Sequence, residues 1–206
     1  LFGCPPAVCK SYLPGKETNM ESFDEYTYFE KYATSLRMGD IGYQNNVEED
    51  MGVHIDYNSI ENYSKSLERA ISTSCKKYEK IGVHSEGYYK QINSNTLQIE
   101  NEYYSSVRPK PDPGIEKRPS KALIENGVDY IELRSIDNNI FLNNGIDICQ
   151  MHFIELLIIY CLLCPDSKIS NDEYFEIKDN LKKVAHNGRN NETCLKVGKR
   201  NLQINI

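Results

Sequence analysis

The chain has 206 residues, 39% of them hydrophobic and 26% charged, a composition that excludes a disordered polymer and allows one or two cores. A formal net charge of -6 speaks against a broad nucleic-acid or anionic-membrane surface, although a small basic pocket for a phosphate stays open. The longest oily run, Phe153 to Cys164, is shorter than the roughly 20 residues needed to cross a bilayer and contains Glu155, so no membrane span is expected.

The opening "LFGCPPAVCKSYLPGKE" is broken by Pro5, Pro6, Pro14 and Gly15, and it reads as short extended or helical pieces joined by turns. It starts at Leu1 rather than Met, with neither a charged leader nor a small-residue cleavage site nearby, which reads as a piece of a longer chain. "KYATSLRMGDIGY", Lys31 to Tyr43, sets Arg37 among small residues ahead of Gly39, Gly42 and Tyr43; on its own it is also consistent with a plain loop. From Asn58 to Lys80, the residues Ile60, Tyr63, Leu67, Ala70 and Ile71 recur at helical spacing, with Asn58 or Ser59 placed to cap the start. A turn at Glu86 and Gly87 is hairpin-like. Alternation through Leu97 and Ile99 then predicts a strand on which Gln98, Glu100, Glu102 and Tyr104 share one face.

Residues 109–121 are dense in proline and charge and predict an exposed loop. "VDYIELRS", Val128 to Ser135, predicts a strand with Tyr130, Glu132, Arg134 and Ile136 on a charged face and Ile131, Leu133 and Ser135 on an oily one turned to the core. A helix from Asp147 to Cys164, apolar on most sides, is expected to be buried. An amphipathic helix follows from Asn171 to His186, ended by "NGR". Period-two strands flanked by helices predict an α+β fold rather than a doubly wound parallel sheet.

Two strands that each carry carboxylates on one face would line a concavity able to hold a hard cation such as Mg²⁺, with substrate phosphates completing its shell. Arg134 beside Glu132 then makes sense as a phosphate clamp next to a metal ligand. A solvated sheet face with a weak exposed ion pair fits the same residues equally well. No GxGxxG turn, P-loop or nucleophile elbow is present. The histidines His54, His84, His152 and His186 are scattered, and His152 with Glu155 reads as a satisfied core residue. Seven cysteines, an odd number without zinc-ligand spacing, suggest a reducing compartment and no disulfide, with Cys161 and Cys164 buried as small hydrophobes. In that setting the sequons at Asn62 and Asn191 are chance matches.

Four stretches, "LFGCPPAVCKSYL", "YATSLRMGDIGY", "QINSNTLQIENEYYSSVRPK" and "VDYIELRSIDNNIF", resemble in order and spacing the glutamate-cysteine ligases (γ-glutamylcysteine synthetases) of the proteobacterial type. The likeness runs from Leu1 to about Cys164 and thins after Pro165, where only "NLKKVAHNGR" is similar to the family pattern. It implies a glutamine synthetase-like fold, with a curved antiparallel sheet lining the active site and helices outside. Residues 1–206 would then be a partial catalytic domain, with the N-terminal part of the same polypeptide missing.

The resemblance further implies a cytoplasmic enzyme that uses ATP and Mg²⁺ (or Mn²⁺). It would activate the side-chain carboxylate of L-glutamate as γ-glutamyl phosphate, which the amino group of L-cysteine attacks. The product is γ-glutamylcysteine, the first step of glutathione biosynthesis. On the same footing, Glu132 matches a metal ligand, Arg134 the arginine beside the ATP phosphates, and Arg37 an arginine near the bound substrates. Tyr43 and Tyr104 match tyrosines of the cysteine pocket, and Glu100 and Glu102 lie in the matching strand. The family carries most of its metal carboxylates, and a metal-binding His, in the N-terminal part, so this chain alone is expected to be inactive. Two other readings stay open: a related carboxylate-amine ligase with another acceptor amine, and a non-catalytic binding module that kept the fold.

Overall fold

A computed structural model describes residues 7–13, 20–39, 41, 54–112, 114 and 116–204. In chain order the strands β1 (Ala7–Cys9), β2 (Glu21–Ser22) and β3 (Thr27–Phe29) precede the helices α1 (Ile60–Ser72) and α2 (Lys76–Ile81). The strands β4 (His84–Ser85), β5 (Tyr88–Tyr89) and β6 (Val107–Lys110) follow, then α3 (Pro119–Asn126) and β7 (Tyr130–Leu133). The chain ends with α4 (Ile148–Leu163), α5 (Asn171–Asn187), β8 (Cys194–Val197) and β9 (Arg200–Gln203). The strands form small antiparallel sheets among helices, an α+β arrangement. The chain divides into two compact units, Gln44–Arg134 and Leu1–Tyr43 with Ser135–Ile206.

In the unit Gln44–Arg134, α1 starts where the Ser59 side chain accepts from the Asn62 N–H at 3.1 Å, satisfying one of the free donors of the first turn. Its inner face presents Tyr63, Leu67 and Ala70 to Ile55, Leu97, Tyr103 and Leu123, which together form the core. Burying each of the larger side chains contributes about 1.5–3 kcal/mol. The helical pattern expected to run unbroken to Lys80 stops at Thr73, which turns extended. The segment around Asn95 serves the last carbonyls of α1: Leu97 N–H donates to Ala70 O (3.1 Å), Thr96 N–H to Thr73 O (2.8 Å) and the Asn95 side-chain amide to Ile71 O (2.6 Å). That use of its backbone is why residues 95–98 are not a regular strand.

The turn between β4 and β5 is as expected, with Glu86 (φ 53°) and Gly87 (φ 83°) both in the left-handed region that tight hairpins need. The strand predicted through Glu100 and Glu102 is instead a 3₁₀ turn over Glu100–Glu102. Its partner in the prediction, β7, pairs with β6. The expected loop over 109–121 is shorter at both ends, since Pro109 and Lys110 belong to β6 and Pro119 opens α3 at the position where a missing N–H costs nothing.

In the other unit, β3 lies between β1 and β2. Helix α4 begins with a reciprocal cap: Asp147 accepts from Gln150 N–H (2.8 Å) while the Gln150 side chain accepts from Asp147 N–H (3.1 Å). Ser170 and Glu173 repeat the device at α5. The stretch 30–39 is seated on the C-terminal end of α5. Thr34 donates through its N–H to Ala185 O (2.9 Å) and through its hydroxyl to Val184 O (2.7 Å), and Arg189 N–H donates to Tyr32 O (3.0 Å).

Three expectations are corrected here. No residue of α4 is buried, Cys161 is exposed with Cys164 half-buried, and His152 is exposed. The cause is common to all three: the helix carries apolar side chains around its circumference, more than the described residues cover. The six described cysteines are free thiols, and no described helix is long and apolar enough to cross a membrane.

Candidate functional site

The strand pair β6–β7 carries the motif residues. Its register sets Arg108 opposite Glu132 and Lys110 opposite Tyr130, and directly opposed residues of an antiparallel pair share a face. One face therefore collects Arg108, Lys110, Tyr130 and Glu132, and Arg134 joins it two residues on. The Arg134 backbone N–H holds the register by donating to Ser106 O at 2.8 Å.

Glu132 is the hub of this face. Arg134 Nε donates to its Oε1 at 2.6 Å, and Lys110 Nζ lies 3.4 Å from its Oε2. Partial burial by itself would push the Glu132 carboxyl up, but the hydrogen bonds and charges of Arg134 and Lys110 hold it below the usual glutamate range. The Arg134 guanidinium sits 5.0 Å above the Tyr104 ring centre, a cation–π contact that helps hold it in place. Arg108, 6% exposed, lies beneath beside Tyr63, whose phenol is driven well above the ordinary tyrosine range by burial first and by Tyr57 next. Two cations, Lys110 and Arg134, thus hold one carboxylate, while the buried Arg108 is turned to Tyr63. Such a face attracts an anion with planar, multidentate donors, which suits a phosphate.

Glu100 and Glu102 are not on this face. Glu100, 4% exposed, accepts from Ser120 N–H (2.8 Å) and Ser120 hydroxyl (2.6 Å), closing the first turn of α3 where a carboxylate is favoured. Glu102 accepts from Gln98 N–H at 2.6 Å. The carboxylate-lined concavity predicted from two facing strands is therefore not built. The oily face of β7 also differs from expectation, with Ile131 exposed and Leu133 half-buried. Among the described residues no group of three or more His, Cys, Asp or Glu gathers that could hold a metal ion. Glu132, with both oxygens engaged by cations, does not fit one unaided.

Arg37 belongs to the other unit, where its Nε donates to Asp137 Oδ1 at 2.6 Å and the Asp137 side chain is only 8% exposed. Nearby along the same stretch, Glu30 Oε2 meets His186 Nδ1 at 2.7 Å. Tyr43 lies outside the described residues. The structure thus joins Tyr104, Glu132 and Arg134 and gives Arg37 a separate partner. Sequence reasoning missed Arg108 and Lys110, although period-two spacing in "VRPK" puts both on one face.

Comparison with known proteins follows the same residues. The family model "Glutamate-cysteine ligase" matches residues 1–184. The glutamate–cysteine ligase of Pseudomonas paraeruginosa is 44% identical over 189 residues, covering 92% of this chain and 35% of the relative. That of Alcanivorax borkumensis is 42% identical over 200 residues, covering 95% and 38%. The crystal structure of the Francisella tularensis glutamate–cysteine ligase in complex with AMP superposes with a TM-score of 0.88 at 35% identity, over 98% of this chain and 41% of that one. The chain spans little more than a third of the length of the curated relatives it matches. A family match over most of its residues, with the motif strands inside the matched range, makes this chain a member of the glutamate-cysteine ligase family.

Proposed function

We propose that the chain supplies part of the active site of an ATP-dependent ligase that joins the side-chain carboxylate of L-glutamate to the amino group of L-cysteine. A glutamate γ-carboxylate oxygen attacks the terminal phosphorus of ATP and ADP leaves. The cysteine amine then attacks the acyl carbon, phosphate leaves, and γ-glutamylcysteine is formed. Both steps gather negative charge on phosphoryl oxygens, so positioned cations carry the catalysis and no covalent enzyme nucleophile is needed. The observation that supports this reading is the β6–β7 face on which Lys110 and Arg134 flank Glu132, in a chain whose fold matches an AMP-bound ligase.

In this reading Arg134 spans two phosphate oxygens with its fork, and Tyr104, against which the guanidinium stacks, serves as a tyrosine of the cysteine pocket. Arg37, which pairs with Asp137, takes the part of the family's arginine near the bound substrates. Glu132 would contribute one carboxylate at most to a Mg²⁺ (or Mn²⁺) ion, which would supply charge neutralisation at the phosphates, and the other ligands would come from the portion of the family's chain that this sequence does not span.

The test is a chimera in which this chain replaces its counterpart in the Pseudomonas paraeruginosa ligase. ADP release should require glutamate together with cysteine, and a panel of other amines should support it poorly. Equal turnover with an unrelated amine would overturn the choice of cysteine, and a folded chimera without glutamate-dependent ADP release would overturn the ligase reading.

A further inference from the structure

Helix α4 is 16 residues long and its only half-buried positions are Gln150, Ile154 and Ile158, one stripe at i, i+4 and i+8. Everything else is open, and most of it is apolar. Leu156 and Leu163 stand opposite the stripe, Phe153 and Leu157 on one flank, and Met151 and Leu162 on the other, with Leu162 and Leu163 79% and 80% exposed. The exposed apolar surface is on the order of 1,000 Å², beyond the few hundred Å² that a monomer ordinarily leaves open as one patch. In the loop before α4, Phe141 is 89% exposed.

We infer that α4 is an interface for the portion of a glutamate-cysteine ligase chain that this sequence does not span, and that this portion encloses the helix on several sides. The inference rests on the family assignment. More than half the length of each matched relative lies outside the match, so the family provides a large body of chain for such a role. Shape and charge argue against the other occupants. A helix that is apolar all round needs cover from several elements, whereas two-fold pairing with a second copy covers one strip of it. A helix lying in a membrane surface needs a polar face rich in Lys and Arg, and α4 carries Gln150, His152 and Glu155 with no Lys or Arg.

Two cysteines of α4 provide the readout. Cys149 and Cys161 are exposed on it, while Cys9 and Cys194 are exposed elsewhere and serve as internal references. Site-resolved thiol alkylation followed by mass spectrometry is carried out on the 206-residue chain alone, on the chain mixed with the remaining portion of the Pseudomonas paraeruginosa ligase, and on the covalent chimera. Alkylation of Cys149 and Cys161 should be fast in the chain alone and slow at least tenfold in the folded chimera and in the mixture, with Cys9 less affected. Leu156→Glu should abolish protection in the mixture while leaving the circular dichroism of the chain alone unchanged. Protection in the chain alone that grows with its concentration would assign the surface to a second copy and overturn the proposal. Protection by phosphatidylcholine–phosphatidylserine vesicles would assign it to lipid. Slow alkylation in the chain alone at every concentration, or fast alkylation in a folded chimera, would equally overturn it. Because the readout is alkylation rather than turnover, its failure and failure of the ligase reading remain distinguishable.

Discussion

Arg134 lies with its guanidinium 5.0 Å over the ring of Tyr104 while its Nε donates to Glu132, so two contacts hold the fork before any ligand arrives. Lysine keeps the charge and loses the plane. Arg134→Lys in the ligase chimera should therefore lower kcat by about a hundredfold, equivalent to roughly 3 kcal/mol for one well-placed transition-state donor. Lys117→Ala, which removes only the exposed pair with Glu125, should leave kcat unchanged. Steady-state kinetics with ATP, glutamate and cysteine check both, and a loss of about twofold or less for Arg134→Lys would reduce that residue to a surface ion-pair partner.

Glu100 supports α3 rather than a ligand. Glu100→Ala would leave the buried Ser120 N–H and hydroxyl without their acceptor, and it should cost about 2 kcal/mol of stability. Urea unfolding of the chain measures this directly. An unchanged midpoint, accompanied by lost activity in the chimera, would return Glu100 to the group of substrate-facing carboxylates.

That contrast shows where the sequence was legible. Helical spacing located α1, α4 and α5, and local caps such as Ser59, Asp147 and Ser170 set their starts, because helix signals are local. The hairpin at Glu86 and Gly87 was legible for the same reason. The alternation in "NTLQIENE" misled, because Glu100 is recruited by the N-terminus of α3, twenty residues on, and the backbone of Thr96 and Leu97 is recruited by the end of α1. Both are tertiary demands that period counting does not register. Glu132 and Arg134 were found through their pairing in one strand. Lys110 was hidden in a stretch that its prolines marked as loop, and Arg108 directly before it was not singled out, although Pro109 is tolerated in β6 opposite Ile131. The burial of α4 was misjudged because apolarity tells what a helix needs and not what covers it.

Gly188 marks the seat of the stretch 30–39 on α5. A Cβ there would lie 2.6 Å from the Val184 carbonyl oxygen and would run into the Thr34 methyl group. The backbone at Gly188 is ordinary helical, so the requirement is space and not a left-handed conformation. Gly188→Ala should destabilise by roughly 2 kcal/mol or more. Thr34→Ser in the same chain should recover part of the loss by removing the methyl, while the carbonyl clash remains. A double-mutant cycle in urea reads the coupling, and strict additivity would mean that the two residues do not meet as described.

Tyr63 gives a pH dependence whose sign follows from its surroundings. Burial against α1's partners, then the nearby Tyr57, raise its phenol above the ordinary value, and the hydrogen bond and charge of Arg108 only partly oppose them. The folded state therefore keeps Tyr63 neutral where the unfolded chain ionises it. Stability associated with this group is fully present below the unfolded value of about 10 and is lost as pH rises beyond it, at up to about 1.4 kcal/mol per pH unit. Tyr63→Phe removes the titrating proton and should flatten that alkaline limb, at a cost near neutrality of about 1 kcal/mol for the lost hydrogen bond to Arg108. Urea midpoints of parent and variant at pH 8, 9.5 and 11, values chosen to bracket the tyrosine range, separate the two effects. If the variant lost stability between pH 9.5 and 11 as steeply as the parent, the proton controlling alkaline unfolding would reside elsewhere, and the buried Tyr63 beside Arg108 would have no part in it.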